Sequence, residues 1–366
     1  MGILSVDKPK IQALGGNGPA DDATFLAEIA AWCSENNREF DNYGHGSFIE
    51  SFEAKVANLL GFGAARFMPS GVLAQLVALK IWCDQSSCNH FGIHPTSHLE
   101  LHEEHAYALL YQLRATLVGP QDSPLLAKHI RGRDENLAAL LVELPIRESG
   151  GQLPGWDELE ELKAEAKSQG MRLHLDGARL WETGPFYDRD YKDICRGFDS
   201  VYVSFYKGIG ALPGAMLLGS EDFIDQSKLW QRRAGGTIQT LGPQVASAAM
   251  LLDKRLNCMP DYWRRAKQLA VMFQDILNVR CVPSVPQANM MHIYLPFSAD
   301  SANAARDQVV EEQGIKLFGR AMVAGVKESY FELSVGDKLL GTTDQQVAEL
   351  FERFISIGNQ KALAHG

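Results

Sequence analysis

Arg172-Leu-His-Leu-Asp-Gly-Ala-Arg179, together with Ser204-Phe-Tyr-Lys-Gly208 further along the chain, decides how this sequence folds. Apolar residues alternate with polar ones in the first stretch, and the second follows a β-branched and aromatic run, so both predict strands. Asp176 and Lys207 therefore stand at the carboxyl ends of two strands, where α/β sheets bind ligands. A buried lysine loses hydration, which lowers its pKa and suits it to Schiff-base chemistry.

An aspartate at this place can keep a pyridinium nitrogen protonated, so the pair predicts pyridoxal 5'-phosphate (PLP) as cofactor. The motifs His174-Leu-Asp-Gly-Ala-Arg179 and Ser204-Phe-Tyr-Lys-Gly-Ile-Gly-Ala211 resemble those of the threonine aldolase/β-eliminating lyase family of fold-type I PLP enzymes. The resemblance extends from about Asn42 to Gly242. It implies an α/β fold whose large domain has a mainly parallel sheet with helices on both faces, followed by a smaller α+β domain.

The expected division of the chain is an N-terminal arm and helix over residues 1–45, a large PLP-binding domain over 46–252 and a small C-terminal domain over 253–366. Residues 1 to about 20 contain several Gly and Pro residues and predict an extended arm. After residue 253 the pattern changes to a helix over 263–277, strand-like runs and a final helix over 343–357. This order is typical of the small domain that the resemblance implies.

Composition narrows the class of protein further. A chain of 366 residues with 46% hydrophobic and 22% charged residues can bury a sizeable core and has the balance of a globular enzyme. A net charge of −10 argues against a nucleic-acid or anionic-membrane partner. We see no apolar run of transmembrane length and no signal peptide. The six cysteines lack Cys-x-x-Cys spacing, so we expect free thiols and a cytoplasmic location.

The resemblance assigns roles to four side chains. Lys207 would attach the cofactor, Asp176 would face its ring nitrogen, and Arg179 would bind the substrate carboxylate. His98, in His98-Leu-Glu-Leu-His-Glu103, would lie over the cofactor ring and take part in catalysis. Considered alone, Asp176 is also compatible with an ordinary turn, because Asp-Gly is a common turn dipeptide.

A phosphate site is predicted where Phe67-Met-Pro-Ser70 leads into a long apolar helix. Ser70 is a favourable N-cap, and the first-turn amides and dipole of a helix attract anions. Val72 stands where the family often has a hydroxyl residue, which leaves the amides of Gly71 and Val72 as phosphate donors. The resemblance adds Ser204 and a basic residue that precedes two glycines, with Arg232 as the nearer match and Arg233 as the alternative. In the family this basic residue commonly reaches across a subunit boundary, so we expect a homodimer or homotetramer.

Two further residues are candidates for substrate binding. Tyr43 lies in the turn-rich segment Asp41–Gly46, which looks like the family's Tyr-Gly segment; a half-buried loop residue is the equal alternative. After the strand over 137–143, Leu144-Pro-Ile-Arg147 replaces the Asn-Thr-His-Asn of aldolases proper. Arg147 is thus either a new anion contact or part of a solvent-facing salt bridge. Ser329-Tyr-Phe-Glu332 also lacks the carboxylate-binding arginine found there in aldolases.

A histidine cluster raises the alternative of a metal site. The spacing of His94, His98 and His102 would place them on one face of a helix, but Pro95 interrupts such a helix. His102-Glu-Glu-His105 is also one residue shorter than the His-Glu-x-x-His zinc motif. We therefore expect no metal.

The function that follows is PLP-dependent cleavage of a β-hydroxy-α-amino acid, of the L-threonine or L-allo-threonine type, to glycine and an aldehyde. The alternative is a β-eliminating or other amino-acid lyase on the same scaffold. More distant alternatives are a catalytically silent PLP-binding protein and a hydrolase with the Ser204-x-x-Lys207 pattern. The hydrolase would need Ser-Asp-Asn and Lys-Thr-Gly motifs, which the sequence lacks.

Overall fold

A computed structural model describes residues 11–19, 21–276 and 279–364. The described residues form two compact units, one of residues 21–260 and one that combines residues 11–19 with residues 261–276 and 279–364. The sequence places this boundary at 252/253 and groups 1–45 as one region. The predicted arm lies largely outside the described residues, and the helix expected after it belongs to the larger unit.

The strands, numbered in chain order, are β1 (Gln12–Ala13), β2 (Ala64–Met68), β3 (His90–Ile93), β4 (Arg114–Leu117), β5 (Ala139–Glu143), β6 (Arg172–Gly177), β7 (Ser200–Ser204), β8 (Ala215–Gly219), β9 (Arg280–Val282), β10 (Met290–Leu295), β11 (Ile315–Lys316), β12 (Met322–Gly325) and β13 (Glu328–Ser334). In the larger unit, the described residues form a seven-stranded sheet of order β2-β8-β7-β6-β5-β3-β4. The strands from β7 to β4 pair in parallel, whereas β8 is antiparallel to both of its neighbours.

The helices are α1 (Asp22–Glu35), α2 (Ser47–Leu60), α3 (Gly71–Gln85), α4 (His98–Leu101), α5 (Ala106–Leu109), α6 (Trp156–Ser168), α7 (Gly184–Tyr187), α8 (Tyr191–Cys195), α9 (Glu221–Arg233), α10 (Gly242–Gln274), α11 (Ala299–Gln313), α12 (Asp337–Leu340) and α13 (Asp344–Ala364). Within the described ranges, no helix combines the length and the apolar character that crossing a bilayer requires. The mainly parallel α/β sheet that the sequence predicts is confirmed.

The smaller unit has a sheet of its own. Among its described residues, β12, β13, β10 and β9 form an antiparallel sheet in that order, and β1 pairs in parallel with β11. The aromatic rings of Phe318, Phe331 and Phe354 pack together beside this sheet.

Helix α3 fixes the part of the larger unit where the candidate site lies. Ser70 is its N-cap, as predicted, and the Ser70 Oγ accepts a hydrogen bond from the Leu73 amide at 3.2 Å. Most of the helix is buried against strands that are themselves buried along their length. Strands covered on both faces are the rule in parallel sheets. The buried polar side chain of Gln75 on α3 is therefore held against the sheet, where it must find a partner.

Candidate active site

Three neighbouring strands bring polar side chains to the carboxyl edge of the sheet. Pairing in parallel register sets Glu143 beside Asp176 and Asp176 beside Tyr202. Because directly paired residues of adjacent strands project from the same face, these three side chains lie in one row. Lys207 follows β7 within the loop that leaves this edge. The structure thus brings together the aspartate and the lysine that the sequence singled out.

Asp176 is 1% exposed, and its carboxylate is bound from two sides. Its Oδ1 accepts a hydrogen bond from the Ala178 amide at 3.0 Å, and the Gln75 side chain of α3 provides a second hydrogen bond. Burial raises the pKa of Asp176, and the positive charge of Lys207 is the largest effect that opposes this rise, followed by the Ala178 and Gln75 donors. The Asp176 carboxylate is therefore held in one orientation by its hydrogen bonds and lies near the positively charged Lys207.

The pKa of Lys207 is lowered, first because burial disfavours the ammonium form and second because Arg179 is a nearby positive charge. The carboxyl groups of Asp176 and Glu143 act in the opposite direction. A lysine with a lowered pKa is a better nucleophile at neutral pH, since more of it is the free amine. The effect of Arg179 on the Lys207 pKa also shows that the two side chains are close enough to interact electrostatically, as residues of one site must be.

His98 begins α4 and faces the same cluster. Burial first, and then the positive charges of Lys207, His102, Arg147 and Arg179, together lower its pKa to about 4. Its Nδ1 lies 3.0 Å from Glu103 Oε1. A neutral imidazole that donates Nδ1–H to this carboxylate keeps its lone pair on Nε2, so His98 is suited to act as a base.

Arg147 is half-buried, and its Nη1 lies 3.1 Å from Glu148 Oε1. Its charge also reaches His98 and Lys207, where it lowers both pKa values. Arg147 therefore forms a salt bridge and also lies near enough to His98 and Lys207 to act as a cation at the site, so the structure is compatible with both predictions for this residue.

The predicted phosphate turn lies against β7. A Cβ atom on Gly71 would overlap the Tyr202 hydroxyl, so only glycine lets the first turn of α3 approach this ring so closely. Val72 is partly buried against the apolar core. Ser204 is fully buried at the end of β7, and its side chain interacts with the Tyr202 hydroxyl. Tyr202 of β7 thus packs directly against the first turn of α3.

Tyr43 and the segment that contains Arg232 are connected by a set of hydrogen bonds separate from the Lys207 cluster. Tyr43 is half-exposed with a positive φ of 52°, and its amide donates to the Gln239 carbonyl at 2.7 Å. Buried Arg66 donates to the Gly44 carbonyl at 2.7 Å and to Gln231 Oε1 at 2.9 Å, next to Arg232 in the chain. Arg232 itself is exposed in the last turn of α9. These contacts tie Tyr43 to the Arg232 segment and do not join either residue to the Lys207 cluster.

The neighbouring Gly236 contacts the first turn of α3, because a Cβ there would overlap the Leu73 side chain. This is the link between the Arg232 segment and the predicted phosphate turn. Arg233, the alternative to Arg232, stacks over the Trp230 ring with its guanidinium carbon 4.8 Å from the ring centroid.

The histidines of the cluster have separate hydrogen-bonding partners. His94 is buried, with Nδ1 at 2.8 Å from Thr96 Oγ1 and Nε2 at 2.7 Å from the Pro120 carbonyl. His102 Nε2 lies 3.0 Å from Glu148 Oε1. Over the described ranges, no three His, Cys, Asp or Glu side chains are grouped as metal ligands would be.

Three residues at the site were missed by the sequence interpretation: Gln75, Glu143 and Tyr202. A signal existed for Glu143, because it ends a predicted buried strand just as Asp176 does. Gln75 is a polar residue within the apolar run of α3, which is a weaker signal. Tyr202 is part of an apolar strand, and its role at Gly71 follows only from the packing of that strand on α3.

The fold, with a lysine and an aspartate at the carboxyl edge of its sheet, is that of a fold-type I PLP-dependent enzyme. Residues 26–295 match the family described as Beta-eliminating lyase. The chain therefore belongs to the Beta-eliminating lyase family and is a PLP-dependent lyase.

Solved structures and curated sequences agree with this membership. A Listeria monocytogenes EGD-E protein assigned as an L-allo-threonine aldolase is 41% identical, with a TM-score of 0.89 over 95% of this chain and 97% of that one. An Exiguobacterium sp. 255-15 protein, assigned as an aromatic amino acid β-eliminating lyase/threonine aldolase, is 36% identical, with a TM-score of 0.89 over 95% and 98%. The probable low-specificity L-threonine aldolase 2 of Arabidopsis thaliana is 25% identical over 75% of this chain and 81% of its own length.

Proposed function

We propose that this protein cleaves a β-hydroxy-α-amino acid of the L-threonine or L-allo-threonine type to glycine and an aldehyde, with PLP bound to Lys207. The observation that carries the proposal is the grouping of Lys207, Asp176 and Arg179 with a neutral His98 at one edge of the sheet. The relatives named as threonine aldolases support the same reaction.

The residues present fit PLP. Lys207 supplies an amine of lowered pKa, and Asp176 supplies a carboxylate with fixed direction for a cationic ring nitrogen. Two buried oxygens near Asp176, Glu143 Oε2 and Gln75 Oε1, have no hydrogen-bond partner among the described residues. The N-terminus of α3, capped by Ser70 and closed by Tyr202, offers amides of the kind that bind phosphate. When bound, PLP supplies an electron sink for the charge that develops at the substrate Cα.

The side chains of the site then have separate tasks. Arg179 holds the substrate carboxylate with two parallel N–H donors, which fixes the orientation of the Cα substituents. Asp176 keeps a proton on the ring nitrogen. His98 Nε2 accepts the proton of the β-hydroxyl as the Cα–Cβ bond breaks, and Glu103 holds the imidazole through Nδ1. Partial burial of the site removes competing water from these contacts.

The test is to incubate the purified protein with PLP and then with L-allo-threonine or L-threonine. We expect a yellow protein that is bleached by borohydride and that releases acetaldehyde and glycine in equal amounts. A protein that stays colourless with added PLP would contradict the proposal at its first step. A coloured protein that releases no acetaldehyde from either substrate would contradict the proposed reaction but would still support PLP as the cofactor.

A second candidate, β-elimination, is favoured by one observation. The charge of Arg147 reaches both His98 and Lys207, and a cation there would stabilise an anionic leaving group on the β-carbon. Release of pyruvate and phosphate from O-phosphoserine, without release of acetaldehyde from threonine, would show that the protein catalyses β-elimination and not aldol cleavage.

The pH dependence of cleavage gives a prediction for His98. Because burial and the neighbouring positive charges lower its pKa to about 4, the neutral base persists below the ordinary histidine pKa of about 6.5. We expect kcat/KM to stay level as the pH falls through 6.5 and to decrease only near pH 4. His98→Asn should lower kcat by about 10²–10⁴-fold, the usual contribution of a general base. His102→Asn, which changes the adjacent ring, is the control, and a decrease centred at pH 6.5 in the wild type would refute the assignment.

We also propose that the protein acts as a homo-oligomer in the cytoplasm. Leu109 and Leu110 follow the His98 segment and are 78% and 74% exposed, and Leu101 is 51% exposed. Apolar side chains grouped in this way favour contact with a second copy. The cysteines of the described residues are free thiols, which supports a reducing compartment. Light scattering that gives the mass of one chain would contradict the oligomer.

A further inference from the structure

Glu143 is a buried carboxyl group with no task in the mechanism above. It is the last residue of β5, is 8% exposed, and is the direct register partner of Asp176 on β6. Its Oε1 accepts a hydrogen bond from the Arg147 amide at 3.1 Å. Its Oε2 is buried and has no hydrogen-bond partner within the described part of the chain. Two carboxyl groups thus lie side by side next to Lys207.

The surroundings of these two carboxyl groups are unequal. Asp176 receives hydrogen bonds from the Ala178 amide and from Gln75, and Lys207 is its strongest charged neighbour. Glu143 receives one hydrogen bond from an amide, and Lys207 and Arg179 act on it less than Asp176 does. Neighbouring buried carboxyl groups do not ionise together easily, and the better-bound one takes the charge. That group is Asp176.

We propose that Glu143 is a positioning residue that acts through Lys207: it holds the proton of the carboxyl pair at neutral pH, so that Asp176 alone is ionised and the Lys207 amine stays available. The inference rests on the proposed function, in which Lys207 attaches PLP. Burial and then the charge of Asp176 raise the pKa of Glu143 to about 8, and the Arg147 amide, Lys207 and Arg179 oppose this rise.

The consequence for Lys207 has a definite sign. Each negative charge nearby favours the ammonium form and raises the pKa of Lys207, and Glu143 contributes only when it is ionised. Arg179 and Arg147 act in the opposite direction throughout. As the pH rises through about 8, Glu143 should lose its proton and the pKa of Lys207 should rise. In the PLP-bound protein the same charges would act on the proton of the linkage between Lys207 and the cofactor, so the colour should titrate in two linked steps.

The experiment records the visible spectrum of the PLP-bound protein from low to high pH in the wild type, Glu143→Gln and Glu53→Gln. Glutamine mimics the protonated acid, so E143Q should bind PLP and lose the step near pH 8. Glu53 is the matched control: it is another buried glutamate that accepts an amide hydrogen bond, from Phe67 at 2.7 Å, and its pKa is raised to about 7 without a contribution from Lys207. E53Q should keep both steps. An E143Q titration identical to that of the wild type would overturn the inference.

A second measurement separates this inference from the proposed function. The apoprotein of E53Q, labelled with ¹³C at the glutamate carboxyl carbon, is titrated by NMR. A glutamate signal that titrates near pH 8 supports the protonated Glu143, and its absence overturns it, whether or not PLP binds and whether or not E143Q folds. A protein that has this signal but binds no PLP would contradict the proposed function alone.

Discussion

Lys207→Ala is expected to give a folded protein that binds no PLP covalently, stays colourless after dialysis and releases no measurable acetaldehyde. The physical reason is that alanine has no amine to attach the cofactor, and attachment precedes every later step. Loss of the positive charge should also weaken the interaction that favours ionised Asp176. The measurement is the visible spectrum before and after borohydride, together with acetaldehyde release.

Two controls make this prediction specific. Lys207→Arg keeps a positive charge that cannot be deprotonated in proteins, so it should also be colourless and inactive. Lys163→Ala removes another buried lysine of lowered pKa, which donates to Glu160 and to the Ile194 carbonyl. K163A should lose stability but keep its colour and activity. A coloured, active K207A would mean that another amine attaches the cofactor.

Asp176→Asn is expected to bind PLP and to lower kcat for aldol cleavage by about 10²–10³-fold. Asparagine has the same shape but no charge, so it cannot hold a cationic ring nitrogen. Loss of one preorganised electrostatic contact in an active site has an effect of this size on the rate. Steady-state kinetics with L-allo-threonine would measure it.

The control for this substitution is Asp199→Asn on the same sheet. Asp199 precedes β7; its Oδ2 accepts from the Leu173 amide at 2.8 Å and its Oδ1 pairs with Arg172 at 2.8 Å. D199N should change stability and leave kcat nearly unchanged. Equal, small losses of rate in D176N and D199N would show that Asp176 has a structural role only.

Local signals predicted some element bounds to within a few residues, as for the strand over 137–143, which is β5 (Ala139–Glu143). Helix α2 runs from Ser47 to Leu60, directly after the turn-rich segment Asp41–Gly46, and Gly61 ends it in the left-handed conformation with φ of 77°. Glycine adopts that conformation without steric cost, so the end of the helix is marked in the sequence. The start of the helix predicted over 263–277 was wrong: α10 runs without interruption from Gly242 to Gln274, with Pro260 inside it. Packing along a long helix offsets a local break that the sequence pattern suggests.

The candidate site could be predicted only in part. Lys207, Asp176 and Arg179 belong to two short motifs whose spacing along the chain is fixed by strand and turn, and the structure brings them together. Gln75 reaches Asp176 because α3 packs on β6, which no spacing in the sequence reveals. The roles of Tyr43 and Arg232 remain predictions, since their contacts belong to a separate framework of hydrogen bonds.

The sequence by itself determined the class of fold, the placement of Asp176 and Lys207 at the carboxyl edge of the sheet and the N-cap of α3, because strand periodicity, caps and short motifs act over a few neighbouring residues. Only the tertiary structure decided the charge states. Whether His98 is neutral, Lys207 is a free amine or Glu143 keeps its proton depends on burial and on charges that distant segments bring together. Desolvation and Coulomb interactions act through space, and the order of residues along the chain does not record them.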